Sequence, residues 1–273
     1  MDNLLPLAVM KINTMVDQQD RCVPPKVVGQ QFLRLIRRAS FGAWFCALLS
    51  CSSLLPQAMA QSPADAKAQP SRTYSPTYPY DALIAGRAGW AEINLTVDYS
   101  GRAIFLSTVG ASDPASASAL QADIEAIEFL APRINGRPMM SSLKVRFDFS
   151  AQPTLDPAAK EVLTELRKSK PAIYTVEELD KKPAPIRQPL PAYPYILRSD
   201  GLSGQAEIEF VLDRTGRPLF ARVISATQAD FGWAAANCVQ RWRYQPPVKN
   251  GEKVLARIKE TVVFDINKAA DMW

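Results

Sequence analysis

The chain repeats itself at one fixed, long interval. Tyr78-Pro79-Tyr80 returns as Tyr193-Pro194-Tyr195, 115 residues later. At that spacing Gly86 and Gly89 fall on Gly201 and Gly204, and Ala91-Glu92-Ile93 falls on Ala206-Glu207-Ile208. Asp98, Gly101 and Arg102 meet Asp213, Gly216 and Arg217. Further on, Phe105 meets Phe220, Pro132 meets Pro247, and Asn135-Gly136 meets Asn250-Gly251. Solenoid units recur every ~20–50 residues, so a period this long describes duplicated domains. A chain of 273 residues has room for two of them, and a 47% hydrophobic composition can fill their cores.

Each repeat reads as the same unit. After Tyr-Pro comes a short helical segment ending near Gly86 or Gly201. Next, Ala206 to Leu212 alternates apolar and polar residues as a half-buried strand does. Asp213-Arg214-Thr215-Gly216 is a turn, and Pro218 to Ser225 is the second strand of a hairpin. The matching strands of the first repeat are Trp90–Val97 and Ala103–Val109. A helix follows, placed over Phe231 to Arg243 with Asp230 as its N-cap. Phe231, Ala235, Cys238 or Val239, and Trp242 form its apolar face. The first repeat offers Ala119 to Phe129, with Leu120, Ile124 and Ile127 facing inward. The last strands are Met140 to Phe149 and Val254 to Ile266. The expected fold class is α+β: two small domains, each a three-stranded antiparallel sheet packed with helices on a β-β-α-β core.

The expected domains span 74–150 and 191–267. Between them, 151–190 reads as a helical and Pro-rich linker, with Asp156-Pro157 opening a helix that runs to Lys168. From Lys181 to Pro191 the chain reads as extended polyproline-type connector. Residues 61–73 are rich in Ala, Pro, Gln and Ser and are expected to be disordered.

Residues 1–60 do not read as part of either domain. Arg34, Arg37 and Arg38 form a basic cluster, Ala39 to Leu55 is apolar, and Ala58-Met59-Ala60 follows. That is the layout of a secretory signal, with cleavage expected after Ala60 and the mature chain in the periplasm. Two alternatives stand beside it. Leu48-Leu49-Ser50-Cys51 loosely resembles a lipobox, which would make Cys51 a lipidated N-terminus. A retained signal anchor is the other, with Met10 or Met15 as alternative starts. A membrane is met only through the retained leader or through Cys51.

Removing the leader changes the charge. Six of the 32 Lys/Arg and three of the 27 Asp/Glu lie in residues 1–60, which leaves 26 against 24, a net +2. No basic stripe remains to bind nucleic acid. Histidine is absent, which removes Ser-His-Asp and Cys-His catalysis and the common His-based zinc sites. No Gly-rich nucleotide loop, metal-ligand cluster or nucleophile elbow is present, so no enzyme activity, cofactor, metal or small-molecule substrate is expected. Cys22, Cys46 and Cys51 lie in the leader, and Cys238 reads as a small buried hydrophobe.

The second repeat carries Tyr193-Pro194, then Gly204, then Asp213-x-x-Gly216, then Trp242-Arg243-Tyr244-x-Pro246, then Gly251-x-x-Val254 and a closing Val263-Phe264. This order resembles the TonB C-terminal domain over most of residues 190–267, and Trp-Arg-Tyr-x-Pro just after a helix is its most specific element. The first repeat is a degenerate match, with Ile127-Glu128-Phe129 in place of Trp-Arg-Tyr. The resemblance implies a three-stranded antiparallel sheet with helices on it. It further implies capture of extended segments of envelope proteins, outer-membrane receptors among them, partly by strand addition. Membrane-anchored members couple a proton-driven inner-membrane motor to receptor transport through a helix that typically carries a functional His. This chain has none, yet that role stands as the alternative.

The residues themselves point to one edge. The final strand is expected to present unpaired backbone groups, with Arg257, Lys259, Thr261 and Val263 on alternating faces and Val262 and Phe264 beside them. Tyr193, Pro194, Gly204, Asp213, Gly216, Trp242, Arg243, Tyr244 and Pro246 are expected to hold the fold, Trp242 as core rather than contact.

Overall fold

The computed structural model describes residues 11–13, 66–71 and 76–269, all of them in one compact unit. The basic cluster, the apolar stretch, Cys51 and the Ala58-Met59-Ala60 site lie outside the described residues. Among those described, no helix is long and apolar enough to cross a membrane.

The first lobe runs β1 (Lys11–Asn13), β2 (Gln69–Pro70), α1 (Tyr80–Ile84), β3 (Gly89–Val97), β4 (Ala103–Ala111), α2 (Pro114–Glu125), β5 (Phe129–Leu130), β6 (Arg133–Ile134), β7 (Arg137–Pro138) and β8 (Ser141–Phe149). A connector supplies α3 (Pro157–Leu166), β9 (Ile173–Tyr174), a 3-10 turn (Val176–Glu178) and β10 (Pro185–Arg187). The second lobe is α4 (Tyr195–Ser199), β11 (Gly204–Leu212), β12 (Pro218–Ala226), α5 (Ala229–Val239), β13 (Arg243–Tyr244), β14 (Val248–Lys249), β15 (Glu252–Lys253), β16 (Leu255–Phe264) and α6 (Ile266–Ala269).

The fold is α+β, with small antiparallel sheets packed by helices. In each lobe the first long strand is central: β3 pairs with β4 and β8, and β11 pairs with β12 and β16, all antiparallel. Each three-stranded core gains a short fourth strand on its last strand. β1 adds antiparallel to β8 at Lys144–Arg146, and β9 adds parallel to β16 at Leu255 and Ala256. The left-handed backbone positions recur at the repeat interval: Phe105 and Phe220 (φ 50° and 52°), Asn135 and Asn250, Gly101 and Gly216. Both phenylalanines sit where the hairpin register slips, so the bulge itself is repeated.

Period-two alternation fills one face of each sheet. In the first lobe Ala91, Ile93, Leu95 and Val97 meet Leu143, Val145, Phe147 and Phe149 under Leu120 and Ile124 of α2. In the second, Ala206, Ile208, Phe210 and Leu212 meet Ala256, Ile258, Val262 and Phe264 under α5. The second sheet is also covered on its other face. Val162 of α3 packs on Val211 and Leu255, with Leu219 and Phe220 beside them. The head of α3 is fixed by Arg217, whose Nη1 and Nη2 donate to both Asp156 oxygens at 2.8 Å, while Asp156 accepts from the Ala159 N–H as N-cap. Those bonds hold the Asp156 carboxyl below its usual range, the Arg217 hydrogen bond being the largest cause.

Several boundaries differ from expectation. Asp230 does not cap α5; it lies in the first turn, and Gln228 takes the N-cap position without a side-chain bond. The helix stops at Val239 and not at Arg243, because the Arg241 and Trp242 N–H groups turn back to Cys238 and Val239, three residues earlier, and Arg243–Tyr244 then pair with β10. In the first lobe α2 begins at Pro114, not Ala119, capped by Asp113 through the Ser116 N–H, and it ends at Glu125. An apolar face locates a helix but not its ends, which depend on caps and on what the next residues pair with. Within the 61–73 stretch expected to be disordered, residues 66–71 lie against the first lobe: Gln69 and Pro70 pair with β5, and Ala68 is buried.

The candidate docking edge

The motif residues of the second lobe converge on a few contacts. Tyr193 stacks edge-on against Phe231 and Phe264, each at 5.6 Å, and its hydroxyl donates to the Leu202 carbonyl. Pro194 precedes the first residue of α4. Gly204 is required by close approach, since a Cβ there would lie 2.6 Å from the Phe231 ring and 2.1 Å from Thr227 Oγ1. Asp213 Oδ1 accepts from the Thr215 and Arg217 N–H groups and the Thr215 hydroxyl, which ties the turn. Burial pushes that carboxyl up, but these hydrogen bonds outweigh it and its pKa is lowered.

The Trp-Arg-Tyr segment receives the Pro-rich connector. Pro189 C=O accepts from Trp242 Nε1 at 3.1 Å and from Cys238 Sγ at 3.0 Å. Gln188 Nε2 donates to the Tyr244 hydroxyl, and the Gln245 N–H donates to Ala184 C=O. Arg243 is exposed and its Nη1 donates to the Gln240 and Trp242 carbonyls. Pro246 follows, half-buried. Trp242 and Tyr244 are both buried, so they act as core. Burial raises the Cys238 thiol and the Tyr244 hydroxyl above their ordinary values.

β16 lies at the edge. Its inner side pairs with β11 from Ala256↔Leu212 to Phe264↔Gly204. Its outer side meets β9 at Leu255 and Ala256, and from Arg257 to Phe264 no strand pairs with it among the described residues. The connector crosses nearby, with Lys182 bonded to Glu260 at 3.1 Å.

The side chains do not alternate as expected. Arg257, Lys259, Thr261 and Val263 are spaced by two and share one face, since successive strand residues point to opposite sides. Val262 and Phe264 face the core and are buried, so only their backbone groups lie at the edge. On the other face, beyond the part that α3 covers at Leu255, Val263 is 64% exposed, and Arg257 and Lys259 flank Glu209 at 3.7 and 4.0 Å. Charged side chains of this kind discourage indiscriminate edge pairing.

Three participants escaped sequence reading: Pro189 as shared acceptor, β9 as partial cover, and Asp180, whose carboxylate accepts from the Asn250 and Gly251 N–H groups. All are tertiary contacts from the connector, for which composition carries no signal. Among the described residues no group of Asp, Glu and Cys is placed to hold a metal ion.

No curated protein matches the chain. A solved structure titled as the solution NMR structure of the Pseudomonas aeruginosa TonB CTD is similar at 22% identity, covering 33% of this chain and 91% of that one, with a TM-score of 0.28. Residues 189–266, the second lobe with the end of its connector, match the family model described as Gram-negative bacterial TonB protein C-terminal.

Proposed function

We propose that the second lobe is a periplasmic protein-interaction module that takes up extended segments of envelope proteins along the outer edge of β16. The first lobe is then a diverged copy of the same domain. The observation that carries this reading is the open edge from Arg257 to Phe264, on a lobe that matches an envelope-protein family. Backbone pairing along several residues supplies affinity, and Arg257, Lys259, Thr261 and Val263 select the segment from one face. A second observation supports it. In the first lobe the same edge pairs with β1 at Lys144–Arg146, positions that fall on Lys259–Thr261 at the repeat interval. An extended segment therefore fits an edge of this geometry, in the chain that keeps residues 11–13; cleavage after Ala60 would remove β1 and leave this edge of the first lobe unpaired too.

Proline in the strand is the test, because it deletes one backbone donor. Neighbouring residues point their N–H groups to opposite edges, so one of Val262→Pro and Val263→Pro removes an outward donor. That variant is expected to lower capture of envelope partners about tenfold or more, the loss of a backbone hydrogen bond plus misfit. Circular dichroism should show the helices intact, most readily for Val263→Pro, whose side chain is outside the core. Two folded variants that pull down the wild-type set of partners at wild-type yield would end the edge-pairing reading.

A further inference from the structure

The two lobes meet helix to helix, α2 against α5, where Asn237 and Gln240 donate to Asp123 and Thr77. Each sheet therefore turns its other face away from the junction. In the second lobe that outer face is closed by α3. Val162 is buried on Val211 and Leu255, and Leu166 packs beside Leu219 and Phe220. Arg217 holds both Asp156 oxygens at the helix head, and Arg214 Nη2 meets Glu161 at 3.1 Å.

The first lobe has the same face without the helix. At the repeat interval Val211, Leu219, Phe220 and Leu255 fall on Thr96, Ile104, Phe105 and Met140. Thr96 pairs with Ile104 as Val211 pairs with Leu219, and both phenylalanines take the same left-handed bulge. Arg102 stands at the position of Arg217, and its N–H donates to Asp98 Oδ1 as the Arg217 N–H donates to Asp213 Oδ1. Phe105 touches the Tyr195 ring at 5.6 Å yet is 62% exposed, Met140 is 41% exposed, and Tyr99, at the position of Arg214, is 62% exposed. Among the described residues nothing closes over this end of the sheet as α3 does over the other. Bulky apolar side chains grouped in water mark a surface that meets a partner.

The connector repeats as well. Pro70 pairs with Phe129 as Pro185 pairs with Tyr244, Lys67 falls on Lys182, and Ala68 and Pro183 are both buried. Carried back over the same interval, α3 falls on residues 42–51, which lie outside the described residues. Their composition does not suit a helix of this kind: Phe41 stands at the position of Asp156, and no residue from Gly42 to Cys51 is charged. A second copy could offer its α3 only by releasing it from Arg217 and Val211.

We propose that the outer face of the first lobe, from Tyr99 and Arg102 to Phe105 and Met140, is a docking site for an amphipathic helix of another protein. That helix places an acidic N-cap on Arg102, where a carboxylate and a guanidinium match in two charge-assisted hydrogen bonds. It lays apolar residues, spaced by four as Val162 and Leu166 are, on Phe105 and Met140. Tyr99 in place of Arg214 widens the apolar patch and removes the cation that Glu161 meets in the second lobe. The site is a sheet face on the first lobe, separate from the β16 edge, and does not depend on capture there.

A peptide of residues 154–169 serves as the probe, with Thr164→Glu so that a lactam to Lys160 holds it helical. Both positions are exposed on α3, and a helix this short is marginal in water without such a constraint. Fluorescence anisotropy with the full chain is expected to show saturable binding below about 1 mM. Phe105→Asp and Met140→Lys should each weaken it about tenfold or more, with circular dichroism unchanged because both side chains are exposed. Asp156→Ala in the peptide should weaken it several-fold and leaves the protein untouched. Val263→Lys on the β16 edge should change nothing. No binding at about 1 mM peptide overturns the site, and so does equal binding by wild type and Met140→Lys. Sedimentation and methyl NMR of the chain without peptide cover the other occupants. Self-association lost in Met140→Lys assigns the face to a second copy, and a Met140 methyl signal that moves when residues 1–60 are removed assigns it to the chain's own leader; either result overturns the helix-partner site.

Discussion

Replacing Trp242 with alanine is expected to lower the unfolding free energy of the second lobe by about 3–5 kcal/mol, the range for truncating a buried aromatic side chain. The indole is 6% exposed and packs on Phe210 and Tyr244 at centroid distances of 6.4 and 6.3 Å. It also holds the connector, because its Nε1–H donates to Pro189 C=O. Alanine therefore empties a large volume and removes a donor at once. Trp242→Phe separates the two effects: most of the apolar area stays, and the lost hydrogen bond alone should cost about 1–1.5 kcal/mol. Urea titration followed by circular dichroism measures both, and an unchanged slope would show that the unfolded reference is the same. A Trp242→Ala protein that melts with the wild type would mean that the side chain stands in solvent, and its role would pass from core to partner contact.

The sequence discloses what is repeated and hides what is unique. The hairpins, the central strands and the closing strands were legible because alternation has period two and the turns carry Asp and Gly at fixed offsets. Trp242 was legible as core for a reason that proved partly mistaken: it lies beyond the end of α5, not on its face, and is buried by the connector and the sheet. The spacing by two of Arg257, Lys259, Thr261 and Val263 places them on one face of the strand, not on alternating faces. The connector was the least legible part. Its prolines suggested a free extended chain, whereas Ala184, Gln188 and Pro189 each bond to the Cys238–Gln245 segment and β9 pairs with β16. Such contacts depend on which surface happens to be adjacent, and no local pattern encodes that. The junction residues were hidden for the same reason: Thr77, Asp123, Asn237 and Gln240 are ordinary polar residues until two helices bring them together.

The second large effect is expected at Gly216. Gly216→Ala should destabilise the second lobe by about 3 kcal/mol or more, whereas Gly201→Ala should cost about 1 kcal/mol, although both positions need a left-handed backbone. Gly216 has φ +86° and Gly201 has φ +68°, so the intrinsic strain of placing alanine is similar. Their surroundings differ. A Cβ on Gly201 meets nothing within 4 Å, but a Cβ on Gly216 would stand 2.0 Å from the Tyr244 carbonyl oxygen. That contact is backbone against side chain, so no rotamer change relieves it. Relief requires the Asp213–Gly216 turn to part from β13, which breaks the bond from the Tyr244 N–H to Gly216 C=O at 2.9 Å. Parting them also disturbs Tyr244 and Trp242 behind, which couples the Asp-x-x-Gly turn to the Trp-Arg-Tyr segment. The first lobe repeats the arrangement: a Cβ on Gly101 would stand 2.0 Å from the Phe129 carbonyl oxygen, and the Phe129 N–H bonds to Gly101 C=O. Gly101→Ala should therefore damage the first lobe as Gly216→Ala damages the second, even though Ile127-Glu128-Phe129 stands there where the second lobe has Trp242-Arg243-Tyr244. Urea titrations of the three variants give the comparison. Equal small losses for Gly216→Ala and Gly201→Ala would mean that the turn shifts freely, and that the left-handed backbone alone, not the close approach of the carbonyl, demands glycine in the motif.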